Sequence, residues 1–325
     1  MSPKRLLCAA VLCLCFAGGA ALAQTAAPAA EPAAEPADMP GMEASAPEVP
    51  VPPSAAPAVV PAIPAAPAAT VPTPTTPATR GAAAPTPPAA PMTGPVHNVV
   101  LVHGAFVDGS SWNGVIAKLQ QKGYHVSSVQ NPLTSLADDV AATRRVLARQ
   151  DGPTILVGHS WGGVVITQAG ANAPNVAGLV YVAAIAPDLH ESTTDLLKRA
   201  APMPAGQSIV ADPTGFLWLD RTKYHADFAA DVPENLTRVL ATAQVPIAAT
   251  AFSETVSQVA WREKPSWYVL TTRDRAVSPA VEKFMADRMG AKTVPIASSH
   301  LVPVSHAGAV ADVIDRAARE LSRQQ

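Results

Sequence analysis

Cysteine occurs at positions 8, 13 and 15 and nowhere else in the 325 residues. If the first two dozen residues are removed, no thiol remains, and neither disulfide staples nor a thiolate metal site can form. Neither Cys13 nor Cys15 follows the small residues that lipid attachment usually requires. Charge is also sparse, at 15% of residues with a formal net charge of -2. No basic block stands behind that balance, so nothing points to nucleic acid as a partner. No apolar run reaches the ~20 residues of a spanning helix. The longest at the N-terminus, Leu6 to about Phe16, follows Lys4 and Arg5 and leads to Ala21-Leu22-Ala23 before Gln24. That order of positive, apolar and small residues reads as a secretory signal cleaved after Ala23, and predicts an exported protein, periplasmic or secreted.

Proline is abundant but unevenly placed: of 34 prolines, 20 fall between Pro28 and Pro95. Residues 24–96 are mostly Ala, Pro, Thr and Glu with few large apolar side chains, too little to offset the entropy of ordering a chain. They are expected to be a disordered, semi-rigid tether. What is left, 97–325, is one domain of ordinary composition.

From Asn98 the pattern changes. Val99-Val100-Leu101-Val102 is a short apolar run rich in β-branched residues, as in a strand buried on both faces. Similar runs stand at Thr154 to Val157, Leu179 to Ala183 and Trp267 to Thr271, with a weaker one at Lys292 to Ile296. Helical periodicity lies between them over Ser111 to Gln121, Leu136 to Arg149 and Trp161 to Ala171, and again at the end over Ala307 to Leu321. Alternating strands and helices predict an α/β fold with a mostly parallel sheet and helices on both faces. The stretch 187–261 breaks the rhythm with several prolines, short helical patches and no clear strand. It reads as a small helical cap inserted after a strand end, where it would cover a ligand site at the carboxyl edge of the sheet.

Gly158-His159-Ser160-Trp161-Gly162 fits Gly-X-Ser-X-Gly, and it sits between an apolar strand and a helix. In that setting a sharp turn holds the serine in a strained conformation with its hydroxyl exposed, and the flanking glycines avoid clashes. A serine hydroxyl needs a base within reach, itself oriented by a third group. Downstream, the loop after the Trp267 strand offers Asp274 and the loop after the next offers His300, both at strand carboxyl ends. His306 is the rival base, but it lies at the start of the last helix, whereas His300 occupies the strand-to-helix loop. Asp195 and Asp220 are cap acids that read as solvated charges. An oxyanion needs two preorganised donors. The N–H of Trp161 is one, and the loop His103-Gly104-Ala105-Phe106 supplies the other, taken as that of Ala105. His103 and His159 read as structural hydrogen-bonding residues. Phe106, Phe216 and Trp218 are candidates to line an apolar pocket.

His103-Gly104-Ala105 with Gly109 and Trp112, then Gly158 to Gly163, Asp274 and Ser298-Ser299-His300 together resemble the α/β-hydrolase branch of plant methylesterases, hydroxynitrile lyases and bacterial carboxylesterases, pyrethroid hydrolases among them. The likeness runs from about His97 to the C-terminus. It implies a Ser160–His300–Asp274 triad, a small hydrophobic ester as substrate, an acyl-enzyme intermediate, and no metal or organic cofactor. Hydroxynitrile lyases of this type carry threonine where Gly104 stands and lysine after the histidine, where this chain has Leu301. Both departures favour hydrolysis. An aspartate nucleophile, as in epoxide hydrolases and dehalogenases, is ruled against by Ser160. A binding protein that keeps the scaffold without turnover, and a cofactor-free perhydrolase or acyltransferase, stay open as alternatives.

Overall fold

The computed structural model describes residues 92–324. The expected signal segment 1–23 lies outside the described residues, as does the tether 24–96 up to residue 91. The remainder builds a six-stranded parallel sheet in the order β2-β1-β3-β4-β8-β9. Its strands are β1 (Asn98–Val102), β2 (His125–Val129), β3 (Thr154–His159), β4 (Val176–Val182), β8 (Ser266–Thr271) and β9 (Lys292–Ile296).

The apolar runs form central strands because both of their faces are covered. Alternate side chains of a strand point to opposite faces. Accordingly Val100, Val102, Leu156, Leu179, Tyr181 and Tyr268 join one core cluster, and Val99, Leu101, Ile155, Val157, Val180, Val182 and Trp267 join the other. The first is closed by the helices α2 (Leu136–Leu147), α3 (Trp161–Ala169) and α8 (Pro279–Arg288), and the second by α1 (Asn113–Gln121) and α9 (Ala307–Ser322). Helix α2 starts where Ser135 Oγ accepts the Asp138 N–H at 3.0 Å, capping one of the first turn's unpaired donors. No helix among the described residues is long and apolar enough to cross a membrane.

Two elements have no clear signature in the sequence. Strand β2 is His-Val-Ser-Ser-Val, an edge strand that stays partly exposed apart from Val129, so its apolar content is low. Helix α8 buries Val281, Glu282, Met285 and Ala286, and the carboxylate within that stripe disguises its period.

The insertion 187–261 contains four short helices, α4 (Thr193–Leu197), α5 (Pro204–Gln207), α6 (Tyr224–Phe228) and α7 (Glu234–Ala243). It also contains a feature absent from the expected helical cap, an antiparallel sheet of β5 (Ile209–Ala211), β6 (Phe216–Leu219) and β7 (Ile247–Ala248). These strands of two to four residues are too short to show a period of two in the sequence, and they exist because the tertiary fold brings them together.

Candidate active site

The carboxyl ends of β1, β3, β8 and β9 each deliver part of one site. After β3 the chain reverses so sharply that Ser160 takes φ +52° and ψ -122°, outside the regions open to ordinary side chains. The turn is locked by backbone hydrogen bonds: Ser160 N–H donates to Val182 C=O at 3.2 Å, and Ser160 C=O accepts from Gly163 at 2.9 Å and Ile185 at 3.1 Å. Its glycines answer a lack of space. A Cβ on Gly162 would sit 2.4 Å from the Val102 carbonyl oxygen, and one on Gly158 2.5 Å from that of Gly162. Helix α3 can therefore start hard against β1, which brings the serine over the sheet edge.

The loop after β9 places His300, which is buried, with Nδ1 2.6 Å from Asp274 Oδ2. Asp274 follows β8 and is held from several directions. Its Oδ1 accepts the N–H groups of Ala276 at 2.7 Å and Val277 at 2.9 Å, and the Thr271 hydroxyl lies 2.8 Å from Oδ2. Burial on its own would raise this carboxyl, but the His300 ring and the two N–H donors outweigh it and hold Asp274 below the usual aspartate range. An ionised Asp274 fixes the His300 proton on Nδ1 and leaves Nε2 as the basic nitrogen. That Nε2 is buried and bonds no described residue, and His300 lines the same cavity as Ser160.

Two neighbouring histidines serve the frame. His159 Nε2 lies 3.0 Å from the His300 carbonyl oxygen and so donates to it, while burial pulls the ring's pKa down to about 3 and keeps it neutral. His103 Nε2 accepts the Asn131 N–H at 2.9 Å, so its proton sits on Nδ1, 2.8 Å from the Gly104 carbonyl oxygen. His306 is half-exposed, with Nδ1 2.9 Å from Ser305 Oγ and 3.5 Å from Asp231, and it does not line the cavity. Asp195 closes the capping box of α4, and Asp220 turns the chain through Thr222.

A cavity with about 80 Å³ of space open to water lies beneath the cap, and Ala105, Phe106, Ser160, Trp161 and His300 all line it. The Phe106 N–H donates to Val245 C=O at 3.1 Å and its carbonyl accepts the Tyr224 hydroxyl at 3.0 Å, so the cap grips this residue at both ends in a left-handed conformation, φ +62°. The Ala105 N–H is left without an acceptor among the described residues, and Trp161, as the first residue of α3, has no intrahelical acceptor for its own. Phe216 and Trp218 are a correction: both lie on β6 away from the cavity, and the Trp218 indole donates to Asp212 at 2.9 Å. The apolar lining comes instead from Ile185, Leu197, Phe228 and Phe252. Phe228 packs on His300 with ring centroids 4.8 Å apart, and Phe252 packs edge-on to Trp161 at 5.9 Å. Nothing local in the sequence separates these two from Phe216, because cap docking selects among them.

Two buried carboxyls also escape a motif search. Asp139 on α2 accepts the Trp161 indole N–H at 2.7 Å and the Leu133 N–H at 2.8 Å. Burial pushes it up to about 6 despite those donors. Glu282 on α8 lies behind Asp274, bonded to Thr271. Among the described residues no group of three or more His, Cys, Asp or Glu side chains gathers as metal ligands would.

Comparison with known proteins agrees with this architecture. The pyrethroid hydrolase of Sphingobium wenxiniae is 36% identical over 104 residues, 28% of this chain and 36% of that protein. The carbendazim hydrolyzing esterase of a Nocardioides species is 31% identical over 159 residues, 44% of this chain and 63% of that protein. The matched stretches thus span about a third and under two thirds of these relatives. The crystal structure of a pyrethroid hydrolase from Sphingobium faniae superposes with a TM-score of 0.59 at 21% identity, covering 69% of this chain and 98% of that one. The model of the alpha/beta hydrolase family matches residues 99–313, which contain the turn at Ser160, the Asp274–His300 pair and the cap, and the chain belongs to that family.

Proposed function

We propose that this domain hydrolyses carboxylic esters through an acyl-enzyme on Ser160. The observation that carries the reading is the buried Asp274–His300 pair, whose Nε2 bonds no described residue and whose ring lines the same cavity as Ser160. Two relatives named for the hydrolysis of pyrethroids and of carbendazim support an ester as the substrate.

In this mechanism Nε2 of His300 takes the Ser160 proton as Oγ adds to the ester carbonyl carbon. Asp274 stabilises the resulting imidazolium. The N–H groups of Ala105 and Trp161 receive the oxyanion, each donor worth roughly 3 kcal/mol in the transition state. Collapse of the adduct breaks the acyl–oxygen bond, and His300 passes its proton to the departing alkoxide. Water then repeats the sequence on the acyl-enzyme, with His300 again as base, and releases the acid and free Ser160. The nearly wholly apolar lining suits hydrophobic acyl and alcohol groups. Export of the protein belongs to the same proposal and rests on the leader sequence.

The protein should turn over p-nitrophenyl butyrate, and a fluorophosphonate should add one phosphonyl group to the peptide containing Ser160, read by mass spectrometry. Turnover with the adduct elsewhere would move the nucleophile. Neither turnover nor adduct would make the domain a binding protein on a hydrolase scaffold.

A further inference from the structure

The Thr271 hydroxyl stands between two carboxyl groups, 2.8 Å from Asp274 Oδ2 and 2.7 Å from Glu282 Oε1. Each contact is a hydrogen bond and each needs a proton, but a hydroxyl has only one. The second must reside on a carboxyl. Asp274 is ruled out, because His300 Nδ1 and the N–H groups of Ala276 and Val277 all donate to it. Glu282 is fully buried on α8, its Oε2 accepts the Thr271 N–H at 2.9 Å, and no Lys or Arg nitrogen bonds it among the described residues. Its other charged or titratable neighbours are Asp274, with His300 behind it, and the Tyr268 phenol, which is committed to the Ala184 carbonyl. We propose that Glu282 is a positioning residue: as a neutral acid it donates to Thr271 Oγ1 and so directs the Thr271 proton onto Asp274. Burial, and then the charge of Asp274, push the Glu282 carboxyl well above its ordinary value, which accords with the proton count. An ionised Glu282 would compete for that proton, and Asp274 would lose a donor that orients it towards His300.

Glutamine has the same shape and stays neutral, with a carbonyl for the Thr271 N–H and an amide N–H for its hydroxyl. Glu282→Leu should lower kcat at least tenfold, leave KM within about threefold, and shift the acid limb of the kcat/KM profile. Glu282→Gln should restore most of the loss and the profile, and should remove a protonated-carboxyl C=O band from the wild-type infrared spectrum at pH 8. A wild type without that band, or a folded glutamine variant as impaired as the leucine one, would overturn the proposal. Should the leucine variant fail to fold, the infrared band and the glutamine variant decide.

A separate observation concerns the substrate, and it rests on the ester-hydrolase reading. Of the buried polar side-chain atoms without a partner among the described residues, two belong to residues lining the catalytic cavity, His300 Nε2 and Thr193 Oγ1. The first is the base. Thr193 opens α4 in the cap and is buried in a lining otherwise made largely of Ile185, Leu197, Phe228 and Phe252. Buried hydroxyls are seldom left unbonded, and one that is calls for an explanation. The geometry points to Thr193 as the donor to an acceptor oxygen in the substrate, so that the favoured ester carries an ether or second carbonyl oxygen besides the scissile group.

Pairs of esters that differ only by oxygen for methylene, on the acyl or the alkoxy side, test this by acid release. For at least one pair the wild type should favour the oxygen-bearing member about 5- to 10-fold more than Thr193→Val does, the ordinary effect of one hydrogen bond. Thr193→Ser should keep that preference. Equal ratios in wild type and Thr193→Val for every pair would end the proposal while leaving ester hydrolysis intact. No turnover of any pair would instead defeat the ester-hydrolase reading.

Discussion

Ser160→Ala is expected to cut kcat by about 10⁴- to 10⁶-fold while KM stays within severalfold, measured on p-nitrophenyl butyrate by initial rates at matched protein concentration. The size follows from the site's construction. On the proposed mechanism, loss of Oγ removes the nucleophile, whereas the apolar lining and the N–H groups of Ala105 and Trp161 remain to bind substrate. Alanine fits the turn, since the strain at φ +52° belongs to the backbone and is held by hydrogen bonds to Val182, Gly163 and Ile185. The variant should therefore fold with nearly unchanged Tm. A loss of less than tenfold would mean that another group performs the attack.

The second large effect is expected from the pair behind the serine. In Asp274→Asn the side-chain oxygen would keep the N–H groups of Ala276 and Val277, so the amide NH₂ would replace Oδ2 facing His300. Two N–H groups cannot bond each other, so His300 must carry its proton on Nε2 and can no longer take one from Ser160. We expect kcat to fall about 10⁴-fold with near-normal KM. His300→Ala should fall as far as Ser160→Ala, while His306→Ala should stay within about threefold, since its half-exposed ring bonds Ser305 and faces Asp231. If His306→Ala were instead the inactive one, the base would be misassigned. The same pair affects stability. Asp274 is held below its unfolded value of 3.8, so its contribution is complete above that pH and is lost as pH falls through the lower folded value. In Asp274→Asn the acid side of a Tm-against-pH curve should flatten accordingly.

Most of the fold was legible because the central strands declare themselves. A strand buried on both faces must be apolar at every position, as Val99-Val100-Leu101-Val102 is, and few other segments need that. The turn at Ser160 was equally plain, since its glycines answer contacts within a few residues or with the adjoining strand. Edge strand β2, helix α8 and the cap sheet were not, because partial exposure, a buried carboxylate and very short strands each erase the periodicity.

The sequence by itself determined the order of chemical groups along the chain: a strained serine after one strand, an acid after a later one, a histidine after the last. These are consequences of local geometry and of parallel topology, which puts every strand's carboxyl end on one rim. Only the tertiary structure decided which aromatic residues line the cavity, that Asp139 and Glu282 stand behind Trp161 and Asp274, and that Thr193 enters an apolar chamber. Those facts depend on distances between residues remote in the chain, and burial, which gives a carboxyl or hydroxyl its energetic weight, is a property of packing that no single segment contains.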